Sequence, residues 1–450
     1  MNVNENTAPQ GQVISQSKDI KYVSISNVNL NKPKFNLTSA DTSYMNAYPQ
    51  SGAATSNQVF YDTIPNDKSI NLSKSFFVFK LEFTTQDDED DVTFTKNLPG
   101  LRALNKFTLQ INGTKIENTS ENLDIISLIR AEDIEESYLN QFEPYMQHKT
   151  GSLRTNEDDR TNFELGVFPA TATTQSAWFA VPLSMISGFA AATKSLYYIK
   201  ELRVEVGFKT DLIDSLLYKT TGTEGTTITA TTSADRVAGI AIKDSYMLYH
   251  QTLFSNSIKT QLAQTPFYYI PFDKYECVLR AGALKQSSDN INLSGTSIKQ
   301  IKVHARDANN FEYQLQFQQC EFNSSGKFPP QSQSNSANMI QSFAYDRAES
   351  MNGLDGANVA ANYDGEKTTA AAQRSYTMNI MEQLGYDVPT ESSMSGNVSF
   401  TMEQDDSTDS YIPAYDNTED EDVKLYLVRK EQAVVLIDEF GKRVLFTINR

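Results

Sequence analysis

The chain is poor in the residues that do chemistry. Its 450 residues hold three histidines (His148, His250 and His304), two cysteines (Cys277 and Cys320) and one tryptophan, Trp178. Histidines this far apart lack the paired spacing of a metal site. Two cysteines exclude a disulfide scaffold, and their strand-like contexts suit separate reduced core thiols better than one bridge. No phosphate loop of the GxxxxGK[ST] type occurs; Ser324-Ser325-Gly326-Lys327-Phe328 lacks the first glycine and the closing hydroxyl residue. There is no GxGxxG after a strand and no GxSxG elbow. The sequence therefore nominates no catalytic, cofactor-binding or metal residue, and the expectation is a protein that is not an enzyme.

Long apolar runs are missing as well. The most apolar window, Ala177 to Ala192, is broken by Pro182, two serines and Gly188, and falls short of a bilayer span. The first twenty residues show no basic stretch followed by an apolar one, so no signal peptide is read. A soluble chain made in a reducing compartment is expected. Basic residues are outnumbered, 39 Lys and Arg against 56 Asp and Glu, for a formal charge of -17. A surface this acidic repels a phosphate backbone, so no direct nucleic-acid binding is expected. The acidic run Asp87 to Asp91 lacks the spaced ligands and glycine of a calcium loop. It is read as a solvated turn, as is Thr418 to Asp422. Trp178 and the run after it are read as a core strand entering a buried turn rather than as an exposed anchor.

What the chain does have is aromatic, β-forming material. Phe (25) and Tyr (22) are abundant within a hydrophobic share of 39%, enough to fill two cores. The length suits two β-rich domains of about 200–250 residues each. Period-2 alternation recurs, which marks antiparallel sheets with one buried face. Phe77, Phe79, Leu81 and Phe83 alternate with Val78, Lys80 and Glu82. Leu202, Val204, Val206 and Phe208 alternate with Arg203, Glu205, Gly207 and Lys209, and Phe311 to Gln318 behaves likewise. Between Phe107 and Asn118 two short strands flank Asn112-Gly113, the pair that tolerates positive φ at both centres of a type I′ turn. Helical spacing is read at Leu123 to Met146, Asp211 to Tyr218 and Thr368 to Tyr386, the last with Gly385 at its cap position. Long polar loops are read at Thr220–Arg236 and Asn323–Asp364. The stretch from Val423 to the end reads as a three-stranded meander, with Phe440-Gly441-Lys442 as its last turn. The strand pattern resets near residue 250.

Taken in order, these segments resemble the double jelly-roll major capsid proteins of tailless icosahedral DNA viruses, of the polinton-like virus and virophage type. The resemblance rests on "INLSKSFFVFKLEF", on the strand–turn–strand–helix unit from Leu104 to Leu139, on "VPLSMISGFAAATKSLYYIKELRVEVGF", on "SSMSGNVSFTM" and on the closing strands. It departs from the large-virus version at Thr401-Met402-Glu403, where that version carries Arg-Ile-Asp. The resemblance implies an all-β fold of two consecutive eight-stranded jelly rolls with short helices in the long loops. A flexible arm at 1–20 would precede a first roll at 21–250 and a second at 251–450. It implies a homotrimer, a pseudo-hexagonal capsomer that tiles the virion shell around a DNA genome. Its partners would be neighbouring capsomers, penton proteins and minor capsid proteins; an internal membrane beneath the shell is left open. Synthesis would take place in the host cytoplasm or nucleus. Rival readings are another phage or virion structural or receptor-binding β-protein, and a carbohydrate-binding two-domain β-sandwich protein. One Trp and no leader count against the last.

Overall fold

The computed structural model describes residues 42–64, 67–87, 92–95, 98–132, 168, 172–197, 199–221, 227–230, 235–256, 259, 267–280, 288–293, 298–306, 316–323, 327–328, 375–379, 396–403, 424–438 and 443–448. The architecture is mostly β-sheet with a few short helices. In chain order the first half contains β1 (Thr42–Ala47), β2 (Asn57–Ile64), β3 (Lys68–Thr85), β4 (Val92–Thr95), α1 (Pro99–Arg102), β5 (Leu104–Ile111) and β6 (Thr114–Thr119). It continues with α2 (Leu123–Glu132), β7 (Thr174–Pro182), α3 (Leu183–Ile186), α4 (Gly188–Ala192), β8 (Ile199–Phe208), α5 (Leu212–Leu216), β9 (Leu217–Thr221), β10 (Thr227–Ala230) and β11 (Val237–Leu253). The second half contains β12 (Phe267–Arg280), β13 (Ser288–Leu293), β14 (Ile298–Arg306), β15 (Gln316–Asn323), β16 (Lys327–Phe328), β17 (Ser375–Asn379), β18 (Gly396–Glu403), β19 (Lys424–Asp438) and β20 (Arg443–Ile448).

Two four-stranded antiparallel sheets organise the first half, in the orders β1-β11-β3-β7 and β2-β8-β5-β6. The second half repeats that grammar as β12-β19-β14-β17, with β20 added beside β19, and β13-β18-β15-β16. A small β10-β9-β4 sheet completes the set. Among the described residues, strands up to Leu253 pair only with one another, and so do strands from Phe267 onward.

The alternation read from the sequence sets which side chains fill the space between sheets. Phe77, Phe79, Leu81 and Phe83 of β3 are buried, and so are Leu202, Val204, Val206 and Phe208 of β8. Phe79 stacks on Phe179 of β7 at 5.3 Å and meets Phe208 of the facing sheet edge-on at 5.2 Å. Phe60 of β2 meets Phe77 edge-on at 5.9 Å. Each aromatic pair adds about 0.5–1.5 kcal/mol beyond its buried area, so these contacts fix how the sheets stack as well as that they stack. The Asn112-Gly113 turn has positive φ at both residues, 48° and 78°. It also docks sideways, because Asn112 Oδ1 accepts from the backbone N–H groups of Lys200 and Glu201 at 3.0 and 2.9 Å.

Four expectations are corrected. The segment expected to be helical over Thr368 to Tyr386 contains a strand, β17, paired with β14 from Ser375↔His304 to Asn379↔Gln300; Tyr376 and Thr377 suit an extended backbone, and an open sheet edge outweighs local helical spacing. The polar loop at Thr220–Arg236 contains the β9–β10 hairpin, with Thr221 opposite Thr227. The first two strands of the expected closing meander are one, β19. Lys430, Glu431 and Gln432 look like a polar turn but lie opposite Tyr275, Lys274 and Asp273 in unbroken register. The helix expected over Asp211 to Tyr218 ends at Leu216, where the chain becomes β9. Leu123 onward is helical as expected; His148, residues 133–146, Gly385, the turn at 440–442 and most of Asn323–Asp364 lie outside the described residues.

Candidate assembly surfaces

The joint between the halves is built from α2 and α4 of the first half and from β12 and β19 of the second. Helix α2 is buried on every side from Leu123 to Arg130, the pattern of a helix enclosed between two bodies. Leu123 and Leu128 join the large core of the first half. Ile125, Ile126 and Ile129 instead form a cluster with Tyr426 and Val428 of β19, edged by Tyr275 and Cys277 of β12. The start of the helix is tethered where buried Asp124 pairs with Lys209 at 2.8 Å.

Further along, β12 leans on α4 and on the segment that follows it. Phe189 meets Phe272 edge-on at 5.4 Å, and Tyr197 stacks on Tyr268 at 4.2 Å. The Tyr268 hydroxyl donates to the Tyr197 carbonyl at 2.8 Å and accepts from the Tyr197 N–H at 3.3 Å. Burial pushes the Tyr268 hydroxyl well above its ordinary pKa, so it stays a neutral donor. Gly188 has no room for a side chain: a Cβ there would overlap the Asp273 carbonyl, lying 2.9 Å from its carbon and 3.1 Å from Arg130 Nη1.

A buried polar group sits under this contact. Glu117 of β6 accepts from Ser187 Oγ and, at 2.9 Å, from the Gly188 N–H. Ser187 also caps α4 by accepting from Ala190 N at 2.9 Å. Arg130 donates to the Ser184 carbonyl and lays its guanidinium over the Tyr275 ring, 4.9 Å from the centroid. Burial raises the Glu117 pKa, against the lowering effects of the Ser187 hydrogen bond and the Arg130 charge. Both carboxylate oxygens hold local donors, so the geometry is that of a structural clasp. No signal in the sequence marked Glu117 or Arg130, because each lies in a polar-looking position of its own element. On β12 and β19 a charged lattice continues the joint outward. Arg429 binds Glu276 and also Glu431 at 2.9 Å, while Lys430 lies 3.6 Å from Asp273.

The outer faces of the first half differ in character. On the β2-β8-β5-β6 sheet the outward residues are polar and ion-paired: Glu205 accepts from Lys106 Nζ at 2.5 Å and Asn57 Nδ2 at 2.9 Å, and Arg203 lies over Tyr61 at 5.4 Å. On the β1-β11-β3-β7 sheet aromatic residues stand among polar ones. Tyr48 meets Tyr246 at 6.1 Å, Tyr246 meets Trp178 at 6.1 Å, and Lys80 Nζ lies 5.9 Å from the Trp178 ring. Tyr44 meets His250 edge-on at 5.2 Å. Trp178 is 45% exposed, which corrects the expectation of a core tryptophan. Its neighbours Ala177 and Phe179 take the inward positions of β7, and the turn after them is buried as expected.

The histidines and acidic residues singled out in the sequence lie apart among the described residues. His250 is a half-buried strand residue, as expected, and burial together with the nearby Lys74 charge lowers its pKa. His304 is buried on β14 beside Tyr426, 6.4 Å between rings. Asp87 accepts from the Ala172 N–H at 2.8 Å; the rest of its acidic run lies outside the described residues. Among the described residues, no three His, Cys, Asp or Glu side chains gather as a metal site would require.

No protein-family model and no curated protein matches the sequence. Solved structures do match the fold, over nearly the full length. The mavirus major capsid protein superposes with a TM-score of 0.52 at 13% identity, covering 99% of this chain and 95% of that one. The fold is that of a viral major capsid protein. A chain of the Sputnik virophage, seen by cryo-EM, gives a TM-score of 0.60 at 11% identity, covering 96% of this chain and 93% of its own. The PBCV-1 virus capsid gives 0.56 at 12% identity, covering 91% and 97%. Within this fold, the joint described above holds the two halves of one chain together, and no described element covers the aromatic face.

Proposed function

We propose that this chain is a major capsid protein, which self-assembles as a homotrimer and tiles the icosahedral shell of a DNA virus. The observation that carries the proposal is the recurrence of one strand order. Each half pairs its first, eighth, third and sixth strands in one sheet and its second, seventh, fourth and fifth in the other, counting β1, β2, β3, β5, β6, β7, β8 and β11 in the first half and β12 to β19 in the second. That order is what a jelly roll requires, two four-stranded sheets packed face to face. The halves are accordingly two jelly rolls that meet between Leu253, where β11 ends, and Phe267, where β12 begins, a few residues past the boundary expected at 250. Three such chains give six rolls around one axis, a pseudo-hexagonal tile whose single interface type closes under rotation.

In this reading the work is done by buried interface area rather than by a reacting group. The packing of α2 and α4 on β12 and β19, with Arg130 over Tyr275, joins the two rolls into one brick, and the acidic surface keeps bricks soluble before assembly. Neighbouring capsomers, penton proteins and minor capsid proteins are the partners, and the virion is the location. Light scattering on the purified full-length chain, followed by negative-stain imaging of the same peak, tests the proposal. A mass of three chains with hexagonal outlines is the expected result. A monomer at every concentration overturns it.

A further inference from the structure

The two halves share one strand order, so a sheet in one has a counterpart in the other. In the second half, the sheet β12-β19-β14-β17 is covered at Tyr426 and Val428 by α2 of the first half. Its counterpart, β1-β11-β3-β7, has no covering element among the described residues. That uncovered face is the aromatic one. Tyr44, Tyr48 and Trp178 are 53%, 64% and 45% exposed, and Tyr246 bridges Tyr48 to Trp178. Around them lies a polar margin of Thr174, Ser176 and the Lys243–Glu82 ion pair.

Resting on the capsomer reading above, we propose that the second half of a neighbouring copy covers this face, with Trp178, Tyr246 and Tyr48 as its anchors. Within one chain, a first-half helix already seats on a second-half sheet. A closed ring of alternating halves needs one further kind of joint, second half onto first, and the open counterpart sheet is where the fold leaves room for it. The chemistry agrees. Tyrosine and tryptophan in the middle with a polar rim is the anatomy of a protein–protein interface. The other outer face, spanning β2, β8 and β5, is ion-paired within itself and offers a neighbour little apolar area.

Trp178 is the only tryptophan, so its emission reports on this face without labelling. Iodide and acrylamide quenching is measured on the full-length protein across a dilution series, with mass read in parallel by light scattering. The expected result is a blue-shifted, several-fold less quenchable Trp178 in the trimer than in the dissociated chain. Trp178→Lys and, as a milder variant at a position outside any strand, Tyr48→Lys are expected to raise the concentration needed for assembly about tenfold or more while far-UV circular dichroism is unchanged. Tyr61→Lys on the opposite outer face is expected to assemble as wild type. A wild-type trimer whose Trp178 stays freely quenchable, with both variants assembling normally, overturns the inference and leaves the capsomer reading standing. A wild type that never leaves the monomer overturns the capsomer reading and this assignment with it. Shielding already present in the monomer and lost on deleting residues 1–41, which lead into β1 at the edge of this face, overturns the neighbour in favour of the chain's own N-terminal segment.

Discussion

Replacing Gly188 by alanine tests the joint between the halves with a single methyl group, and two physical effects pull in opposite directions. Gly188 opens α4 at an ordinary backbone conformation, so it has no need of a positive φ. Helix propensity alone makes Gly→Ala favourable by about 1 kcal/mol. Against this stands the Asp273 carbonyl of β12, which the new Cβ would overlap while lying 2.9 Å from the carbonyl carbon. The obstacle is backbone inside a paired strand, since Asp273 lies opposite Gln432 in the β12–β19 ladder, and it cannot rotate aside as a side chain would. Overpacking of this kind costs about 1–3 kcal/mol, and the upper end applies where backbone must move. The net expectation is a loss of about 2 kcal/mol. For a unit of this size that lowers the melting temperature by roughly 4–8 °C. Equilibrium unfolding in urea measures it, with Gly239→Ala as the control, because a Cβ at Gly239 meets nothing within 4 Å. The thiol of Cys277, at the edge of the α2 cluster, gives a second readout. In a Cys320→Ser background its labelling rate should rise in Gly188→Ala as β12 shifts from the first half. A variant as stable as wild type, or more so, would refute the close approach and with it the rigid joint.

Other perturbations separate the remaining terms. Glu117→Ala leaves the Ser187 and Gly188 donors without their acceptor in a buried site, and should cost about 1–3 kcal/mol in urea unfolding. Because burial raises the Glu117 pKa, the folded chain holds this proton more tightly than the unfolded one. Its contribution to stability is therefore fullest below the ordinary glutamate range and declines as pH rises through the raised value; Glu117→Gln should flatten that part of the stability profile. Glu276 works in the other sense. Burial raises its pKa, but the hydrogen bond and charge of Arg429 outweigh burial and hold it below the usual value. Stability from that pair is present above the ordinary range and lost as pH falls through the lowered pKa, and Glu276→Gln should remove this acid-side slope. At the hairpin, Gly113→Ala forces an L residue to φ 78° and should lower stability by about 1–2 kcal/mol in thermal unfolding.

Strand periodicity proved the most legible feature, because burial on one sheet face writes itself directly into alternate positions. The buried set of Phe77 to Phe83 and that of Leu202 to Phe208 could be named in advance, as could the positive-φ pair at Asn112-Gly113. Features set by distant partners could not. Tyr376 and Thr377 belong to a strand only because β14 offers an edge. Lys430 to Gln432 continue β19 only because Tyr275, Lys274 and Asp273 lie opposite. Trp178 shows the limit most plainly: alternation along β7 gives two phases, and its hydrophobicity argued for the inward one. The strand instead turns Ala177 and Phe179 inward, which leaves the largest side chain outside. The clasp was invisible for the same reason. Glu117, Arg130 and Ser187 are ordinary polar residues until β6, α2 and α4 bring them together.

The large core of the first half also contains Tyr268, Ile270 and Phe272 of β12 and Ala433, Val435 and Ile437 of β19. This has a consequence for the order of events during synthesis. Domains tend to fold from the N-terminus as the chain leaves the ribosome, but here the core of the earlier half takes in side chains of β12 and of β19, the latter more than two hundred positions downstream of Leu196. A nascent chain halted before β12 leaves Phe189 and Tyr197 without Phe272 and Tyr268. Synthesis of β12 is thus the step that first closes this contact, and a copy truncated before it carries its own mark of incompleteness.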